Sequence, residues 1–414
     1  MNFPKIIAKF LLICIIFAAT LSGATQPKPK ELPTATAKEV GMSQEKLDEI
    51  APAVRKFIDD EQITGASVLV ARNGKIIYNE TFGLMDREAK KETQKDTIYR
   101  FYSMTKPITS VAAMILYDQG KIKLDDPVSN YLPEFKDLKV YDESGKNVEL
   151  NKPMTVRDLL RHTSGLTYGI FGNTPVDKMY RQQKILNRNI PLEKMTDSLG
   201  KIPLQYQPGT KWHYSVSADV LGALIERVSG ESLDEFFQEN IFKPLDMKDT
   251  SFMVPKDKVQ RFAACYSPKP GKGLKLNDAP KTSEYLTKPV KLSGGGGLVS
   301  TGRDYMRFCQ MLANEGQLNG TRILKKETVN MMTQNQLPKG VYQGIGSGFG
   351  LGFSVRLFGG KIPKGEYGWG GAASTHFWIS PKDKIVVIAL SQHMPFSFRL
   401  ESAIKPIVYD AIIK

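Results

Sequence analysis

Residues 98–117 read IYRFYSMTKPITSVAAMILY and combine a Ser-x-x-Lys pattern with a long apolar run. Ser103 and Lys106 are three residues apart, so they face the same way on one turn of a helix. The apolar residues on both sides predict that this turn is buried. Pro107 argues against this common orientation, because a proline disfavours the α-helical backbone conformation for the residue before it, here Lys106.

The Ser-x-x-Lys pattern occurs at four places, so its context has to separate them. Ser43 is predicted to cap a surface amphipathic helix, Ser198 lies in a polar stretch, and Ser402 belongs to a short closing helix. Only Ser103 enters a segment that has to be buried. A lysine desolvated by the core has its charged form disfavoured, so a neutral amine can help to take the proton of the serine. A helix N-terminus also favours negative charge that develops at the serine.

Other catalytic frameworks receive less support from the sequence. No Gly-x-Ser-x-Gly is present, which argues against the nucleophile elbow of an α/β-hydrolase. There is no His-Glu-x-x-His, and the four histidines lack the spacing of metal ligands, so we expect neither a metal ion nor a cofactor. These histidines are His162, His213, His376 and His393. A Ser-His-Asp triad stays open, because triads are assembled by folding and not by spacing.

Strand patterns lie at both ends of the chain, and helical patterns lie between them. Two β-rich runs flank Asn73-Gly74, which is the strongest short hairpin signal. Three more strand-like runs lie between residues 350 and 391, and helices are expected after the cap Thr301 and over about 399–412. We therefore predict an α/β (α+β) fold, in which an antiparallel sheet from both terminal segments is flanked by helices and carries an inserted all-helical lobe.

Five sequence landmarks follow one another along the chain. They are SMTKP at 103–107, LLRHTSGL at 159–166, YSVSADVLGALIERVSG at 214–230, GGLVST at 296–301 and YGWGGAASTHFWISP at 367–381. In order and spacing they resemble the serine β-lactamase and penicillin-binding-protein superfamily, particularly class C β-lactamases and the family VIII carboxylesterases. The resemblance covers residues from about 40 to 395 and implies the β-lactamase/transpeptidase-like fold.

The resemblance implies roles for individual residues. Ser103 matches the acylated nucleophile, and Lys106 matches the partner that lowers its proton affinity. Tyr214 matches the tyrosine of the superfamily's Tyr-x-Asn element, the base for acylation. The backbone N–H groups of Ser103 and Ala372 would form the oxyanion hole.

Two departures from the superfamily's pattern concern positions that would bind the substrate. The third position of Tyr-x-Asn is Val216, which has no amide to offer to a β-lactam side chain. Trp369-Gly370-Gly371 replaces the Lys-Thr-Gly of true β-lactamases and removes the cation that would meet the drug's carboxylate. Both changes are similar to those of family VIII esterases, so the resemblance favours ester hydrolysis. The sequence leaves open whether Trp369 lines the pocket or only packs.

Two further motifs receive a structural interpretation. His162 and the three residues after it are predicted to end a helix and to form a turn. The glycine run at 294–297 is predicted to be a flexible entry to the next helix, because no Lys-Ser/Thr follows it as in a phosphate-binding loop.

These observations predict a serine hydrolase that acts on a small-molecule ester or amide through an acyl-enzyme. Our preferred interpretation is a carboxylesterase for short-chain esters with weak or no β-lactamase activity. One alternative is a β-lactamase, a D-amino-acid peptidase or a penicillin-binding protein, and another is a catalytically silent binding module with the same fold. The predicted sheet domain comprises residues 40–120 and 285–414, and the inserted lobe comprises 121–284.

The first 24 residues are predicted to be a signal peptide. Lys5 and Lys9 precede a short apolar run at 10–19, and small residues follow at 22–24. The apolar run is too short to span a bilayer. We therefore expect an exported protein, periplasmic or secreted, in which residues 25–39 form a linker.

The overall charge carries limited information about partners. The formal net charge falls from +14 to +12 when Lys5 and Lys9 are removed with the signal peptide. No basic stripe interleaved with aromatic residues is present, so we expect no nucleic-acid partner. No later stretch is long and apolar enough to span a membrane, while attraction to an anionic surface stays open. Cys265 and Cys309 either pair or are two buried thiols.

Overall fold

An eight-stranded antiparallel sheet joins the two ends of the chain in the computed structural model, which describes residues 31–413. Within these residues the strands are β1 (Gly65–Arg72), β2 (Lys75–Asp86), β3 (Lys91–Glu92), β4 (Tyr99–Arg100), β5 (Val140–Tyr141), β6 (Asn147–Val148), β7 (Cys265–Pro268), β8 (Leu274–Asp278), β9 (Val299–Ser300), β10 (Gln317–Leu318), β11 (Thr321–Arg322), β12 (Ser347–Phe349), β13 (Ser354–Arg356), β14 (Tyr367–Gly371), β15 (Thr375–Ser380) and β16 (Ile385–Leu390). The strand order in the large sheet is β12-β13-β14-β15-β16-β1-β2-β3. The predicted sheet made from both terminal segments is thus confirmed.

Helices cover both faces of this sheet. In the described residues the α-helices are α1 (Gln44–Asp48), α2 (Ile50–Asp59), α3 (Thr105–Asp118), α4 (Val156–Leu160), α5 (Pro175–Gln182), α6 (Leu192–Leu199), α7 (Ser217–Ser229), α8 (Leu233–Phe237), α9 (Gly302–Ala313), α10 (Lys326–Met332) and α11 (Arg399–Asp410). On one face α2 and α11 pack on Trp378 of β15 through Val54 and Ile404. On the other face α3 and α9 belong to the larger core cluster, which includes Leu69 of β1 and Phe377 of β15.

The turn between β1 and β2 has the geometry that its sequence demands. Asn73 and Gly74 both have positive φ angles, 51° and 78°, as the two central residues of a type I′ hairpin turn require. Ser43 accepts a hydrogen bond from the N–H of Lys46, and Thr301 accepts one from the N–H of Asp304, so both predicted helix caps form.

Helix α3 lies in the centre of the core. Every residue from 105 to 116 is buried, as the long apolar run predicted. Pro107 is accommodated because it is the third residue of the helix, and the N–H groups of the first turn have no intrahelical partner in any case. Lys106 lies within α3 despite the proline that follows it, and its Nζ reaches Ser103 Oγ, so the objection that Pro107 raised to a shared face of the two residues is removed.

The segment 121–284 contains two short hairpins besides its helices, β5 with β6 and β7 with β8. The sequence did not predict them because their strands are only two to five residues long. The second hairpin also contacts the C-terminal part of the chain, where Tyr266 donates a backbone hydrogen bond to Gln392. The division into a sheet domain and an inserted lobe stays a prediction.

The structure describes only part of the N-terminal segment that was predicted to be a signal peptide and a linker. Residues 1–30 lie outside the described residues, and with them the predicted signal peptide. The described part of the linker segment, 31–39, is not free: Ile76 of β2 donates to the carbonyl of Pro33 at 2.8 Å and accepts from the N–H of Ala35 at 3.0 Å. These two bonds attach the segment to the sheet. Within residues 31–413, no helix is long and apolar enough to cross a membrane.

Candidate active site

Ser103 lies on a tight turn at the start of α3, in the 3₁₀ segment Tyr102–Met104. Tyr102 has a φ of +43°, in the left-handed region that side chains other than glycine rarely adopt. Such strained residues concentrate at functional sites. The turn places the side chain of Ser103 on the wall of a cavity of about 760 Å³.

The hydroxyl of Ser103 is hydrogen-bonded to the two residues that the resemblance assigned to proton transfer. Tyr214 Oη donates to Ser103 Oγ at 2.7 Å, and Lys106 Nζ donates to the same atom at 3.2 Å. Tyr214 comes from a separate part of the chain, 111 residues further on, directly before α7. The structure thus brings together Ser103, Lys106 and Tyr214.

Lys106 is buried, and its amino group makes contacts on three sides. It donates to the carbonyl of Gly295 at 2.6 Å and lies over the rings of Tyr214, at 4.6 Å, and Tyr168, at 5.3 Å. No carboxylate pairs with Lys106 among residues 31–413. These contacts orient the amine of Lys106 towards Ser103, and none of them is an ion pair.

The glycine run at 294–297 is part of this site, and its interpretation as a flexible entry was incomplete. Besides the bond from Lys106 to Gly295, Thr109 Oγ1 donates to the carbonyl of Gly294 at 2.8 Å. The N–H of Gly295 donates to Asp219 at 3.2 Å, and a Cβ at Gly295 would lie 2.4 Å from a carboxylate oxygen of Asp219. Gly294 and Gly295 have to be glycine because a Cβ at either position would lie 2.5 Å or less from an oxygen atom of α7.

Strand β14 forms the wall opposite Tyr214. Trp369 packs against the Tyr214 ring with centroids 5.6 Å apart, so it both lines the cavity and packs. Gly371 lies against the segment that precedes Ser103, and a Cβ there would be 2.1 Å from the carbonyl oxygen of Phe101. Gly370 and Ala372 also line the cavity, so Ala372 and Ser103 border the same space.

We expect Gly371→Ala to lower both stability and activity. The added methyl group would displace β14 from the turn of Ser103, and such overpacking costs about 1–3 kcal/mol. Thermal unfolding and kcat/KM for an ester measure the two effects, and a loss of kcat/KM of about tenfold or more is expected. Gly360→Ala is the control, since a Cβ at Gly360 would meet no atom within 4 Å. Parent-like stability and activity of Gly371→Ala would show that this close approach is not needed.

The structure does not bring Val216 to the substrate. Val216 is fully buried in the core at the start of α7, and its N–H donates to the carbonyl of Thr167 at 3.3 Å. It does not belong to the cavity wall. The predicted contact between Val216 and a substrate therefore has to be corrected, because the backbone turns the second position after Tyr214 inward.

None of the four histidines contacts the nucleophile. The side-chain partners of Ser103 among residues 31–413 are Tyr214 and Lys106. His162 packs against the Tyr214 ring at 5.0 Å, and its Nδ1 faces Ser215 Oγ at 3.4 Å. Burial, followed by the charge of Lys106, holds the pKa of His162 well below its usual range. His162 is thus a neutral packing residue, and the alternative of a Ser-His-Asp triad finds no support here.

Two residues near the site were not found from the sequence. Tyr168 packs beside both Lys106 and Tyr214, and burial raises the pKa of Tyr168 well above its usual range. Asp219 lies in α7 and binds the glycine run. Tyr168 follows the HTSGL motif by two residues, which was the one signal available.

Aromatic side chains make up much of the cavity wall. They are Phe171, Tyr214, Tyr367, Trp369, Phe377, Trp378, Phe396 and Phe398. Two cations also line it. Lys405 is paired with Glu366 and Glu401, whereas Arg356 is exposed. The cavity thus suits a largely apolar small molecule.

Among the described residues, few groups are placed to bind a metal ion or to react as a thiol. Within 31–413, no group of three or more His, Cys, Asp or Glu side chains is placed to hold a metal ion. Cys265 and Cys309 are both free and buried, and burial raises the pKa of Cys265 to about 11. The expectation that no cofactor is needed stays a prediction.

The fold and the site belong to a known class of protein. The model of the Beta-lactamase family matches residues 50–406, so the chain belongs to that family. The protein is a serine hydrolase related to β-lactamases.

Particular relatives are similar over most of their length. Protein Rv1367c of Mycobacterium tuberculosis is 32% identical over 372 residues, which are 84% of this chain and 90% of that protein. Esterase EstB of Burkholderia gladioli is 32% identical over 308 residues, 70% of this chain and 75% of that protein. The solved structure of EstCE1, a hydrolase with promiscuous acyltransferase activity, has a TM-score of 0.76 at 28% identity and covers 89% of this chain and 99% of that one.

Proposed function

We propose that this protein is an exported serine carboxylesterase that hydrolyses short-chain esters through an acyl-enzyme. The observation that carries the proposal is the convergence of Tyr214 Oη and Lys106 Nζ on Ser103 Oγ, at 2.7 and 3.2 Å, on the wall of an aromatic cavity. The similarity to esterase EstB supports an ester as substrate. The charged and apolar runs at the N-terminus support export.

The acylation step follows from this arrangement. Ser103 Oγ adds to the carbonyl carbon of the ester, and its proton passes to the pair formed by Tyr214 and Lys106. The carbon–oxygen bond to the alcohol then breaks, and the alcohol oxygen takes up this proton. The product is an acyl-Ser103 ester, which a water molecule hydrolyses while the same pair accepts and returns a proton.

The negative charge of the tetrahedral intermediate needs donors that are already in place. We assign this role to the backbone N–H groups of Ser103 and Ala372, which border the same cavity. A preorganised donor of this kind is worth about 3 kcal/mol of transition-state stabilisation. The close docking of Gly371 against Phe101 would fix the distance between the two donors.

A β-lactam would lack, at the positions of Val216 and Trp369, the two polar partners that the superfamily's pattern supplies. Such a substrate carries an amide side chain and a carboxylate, and an unpaired buried polar group costs about 1–3 kcal/mol. Val216 is enclosed in the core, and the indole Nε1 of Trp369 is itself buried, so neither offers a hydrogen bond to them. A small ester has neither group and incurs neither cost.

We therefore expect kcat/KM for p-nitrophenyl acetate or butyrate to exceed that for a chromogenic cephalosporin by at least about 10²-fold. Both substrates are measured on one enzyme preparation, and a D-amino-acid peptide is included to test the peptidase alternative. Equal turnover of the cephalosporin would overturn the preference for esters. In that case Arg356→Gln identifies whether the exposed guanidinium on the cavity wall binds the carboxylate.

A further inference from the structure

The mouth of the active-site cavity carries an unusual concentration of exposed apolar side chains. Eleven large hydrophobic residues are exposed within residues 31–413, and seven of them lie around this mouth. We call these seven the apolar rim. They are Ile170, Phe171, Tyr342, Ile345, Phe358, Phe396 and Phe398. Contiguous exposed apolar patches mark interaction sites more often than scattered single residues do.

Four separate loops contribute to the rim. Ile170, Phe171, Phe396 and Phe398 line the cavity itself. Tyr342 and Ile345 flank Gln343, which also lines the cavity. Phe358 belongs to the loop before β14, which is joined to the turn of Ile345 by a hydrogen bond from Leu357 N–H to the carbonyl of Gly346 at 3.0 Å. All four loops therefore border one opening.

Three members of the rim lie outside the cavity wall, so they are not placed to contact a substrate at Ser103. Ile345 is 105% exposed, Tyr342 is 70% exposed and Phe358 is 66% exposed, and none of them belongs to the cavity wall. Large apolar groups held in water at loop tips need a partner outside the molecule to become buried.

Most of the charges on the loops of the apolar rim are positive. The exposed cations are Lys339, Arg356, Lys361, Lys364 and Arg399, and among them Lys361 is paired with Asp410 of α11. The acidic residue in the segments 337–346, 356–366 and 395–399 is Glu366, which is buried and paired with Lys405. The surface around the opening is thus apolar and basic.

We propose that the apolar rim docks on an anionic lipid surface, with its aromatic and aliphatic tips among the headgroups and its lysines and arginines against the lipid phosphates. Amphipathic surfaces with large apolar residues and Lys or Arg bind lipid in this way, through buried apolar area and attraction to negative charge. The net charge of the chain adds to that attraction. A second copy of the chain fits less well, because a symmetric contact would oppose the two sets of cations. Docking would present Ser103 to esters dissolved in the lipid.

The test is co-sedimentation of the full-length protein with vesicles of pure phosphatidylcholine and with vesicles that also contain phosphatidylglycerol. We expect binding to the anionic vesicles, weakening with added salt. The triple variant Tyr342→Ser, Ile345→Ser, Phe358→Ser should bind about tenfold or more weakly, with unchanged kcat/KM for a dissolved ester. Leu276→Ser with Val290→Ser is the matched control, since these exposed residues lie elsewhere. Parent and variants share residues 1–30, so a difference in binding between them does not come from that segment.

A charge-reversal variant tests the role of the cations, and sedimentation without vesicles tests self-association. Lys339→Glu with Lys364→Glu should weaken binding to anionic vesicles to a similar degree while leaving the apolar tips in place. Parent-like vesicle binding of the triple variant, or an equal loss in the control, would overturn the proposal. Sedimentation that shows a dimer abolished by the triple variant, without vesicle binding, would assign the rim to self-association instead. Ser103→Ala should bind vesicles like the parent, so a failure of the proposed function would not be mistaken for a failure of this one.

Discussion

Ser103→Ala is expected to lower the hydrolysis of p-nitrophenyl esters by about 10³-fold or more. The variant removes the oxygen that would form the acyl-enzyme, while the methyl group of alanine keeps the β-carbon in place in the turn. Steady-state kinetics of purified parent and variant measure the effect, and thermal unfolding confirms that the variant is folded. Residual activity would come from the cavity and the backbone donors alone.

The chain offers a matched control for this substitution. Ser402 is followed by Lys405 in the same Ser-x-x-Lys spacing, but it is exposed on α11. Ser402→Ala should therefore hydrolyse esters at the parent rate. A loss in Ser402→Ala together with near-normal turnover in Ser103→Ala would refute the assignment of the nucleophile.

Tyr214→Phe and Lys106→Ala are each expected to cost activity on a scale similar to the loss in Ser103→Ala, and their effects should not add. Tyr214 Oη and Lys106 Nζ contact the same oxygen, so removing either breaks the single route by which the proton of Ser103 leaves. The kinetics of both single variants and of the double variant form the required cycle. Tyr214→Phe keeps the ring that packs on Trp369 and His162.

Substitution of the histidines shows which result would contradict this second prediction. His162 touches the Tyr214 ring without contacting Ser103, and its pKa is lowered by burial. Substituting it should change kcat far less than substituting Tyr214. Near-normal turnover in Tyr214→Phe, combined with loss in His162→Ala or His393→Ala, would point to a histidine-based mechanism.

The sequence predicted the parts of the molecule that depend on short-range patterns. Asn73 and Gly74 favour one turn geometry, so the hairpin of β1 and β2 follows from two residues, whereas the shift in its register between Val70 and Ala71 does not. The apolar run after Lys106 predicted a buried helix, and the helix carries Ser103 and Lys106 as expected. The order of five landmarks then identified the fold, and three of them, at 103–107, 214–230 and 367–381, contribute residues to the wall of the same cavity.

The sequence could not predict contacts that depend on how distant segments approach each other. Gly295 is 189 residues away from Lys106 along the chain, and nothing local indicates that its carbonyl would bind the amine. The role of Tyr168 likewise depends on a ring contact with Tyr214 that only folding creates. Val216 was misplaced for the opposite reason: its position in a motif suggested a contact with substrate, whereas the start of α7 turns it into the core.

Mass-spectrometric mapping of the residue that a fluorophosphonate probe labels tests the central claim most directly. The probe reacts with an activated serine, and the account predicts a single adduct on Ser103 that disappears in Ser103→Ala and is reduced in Tyr214→Phe. An adduct on Ser43, Ser198 or Ser402 would contradict the assignment of the site. The absence of any adduct on correctly folded protein would contradict the claim that this protein is a serine hydrolase, and would leave a silent module with the same fold.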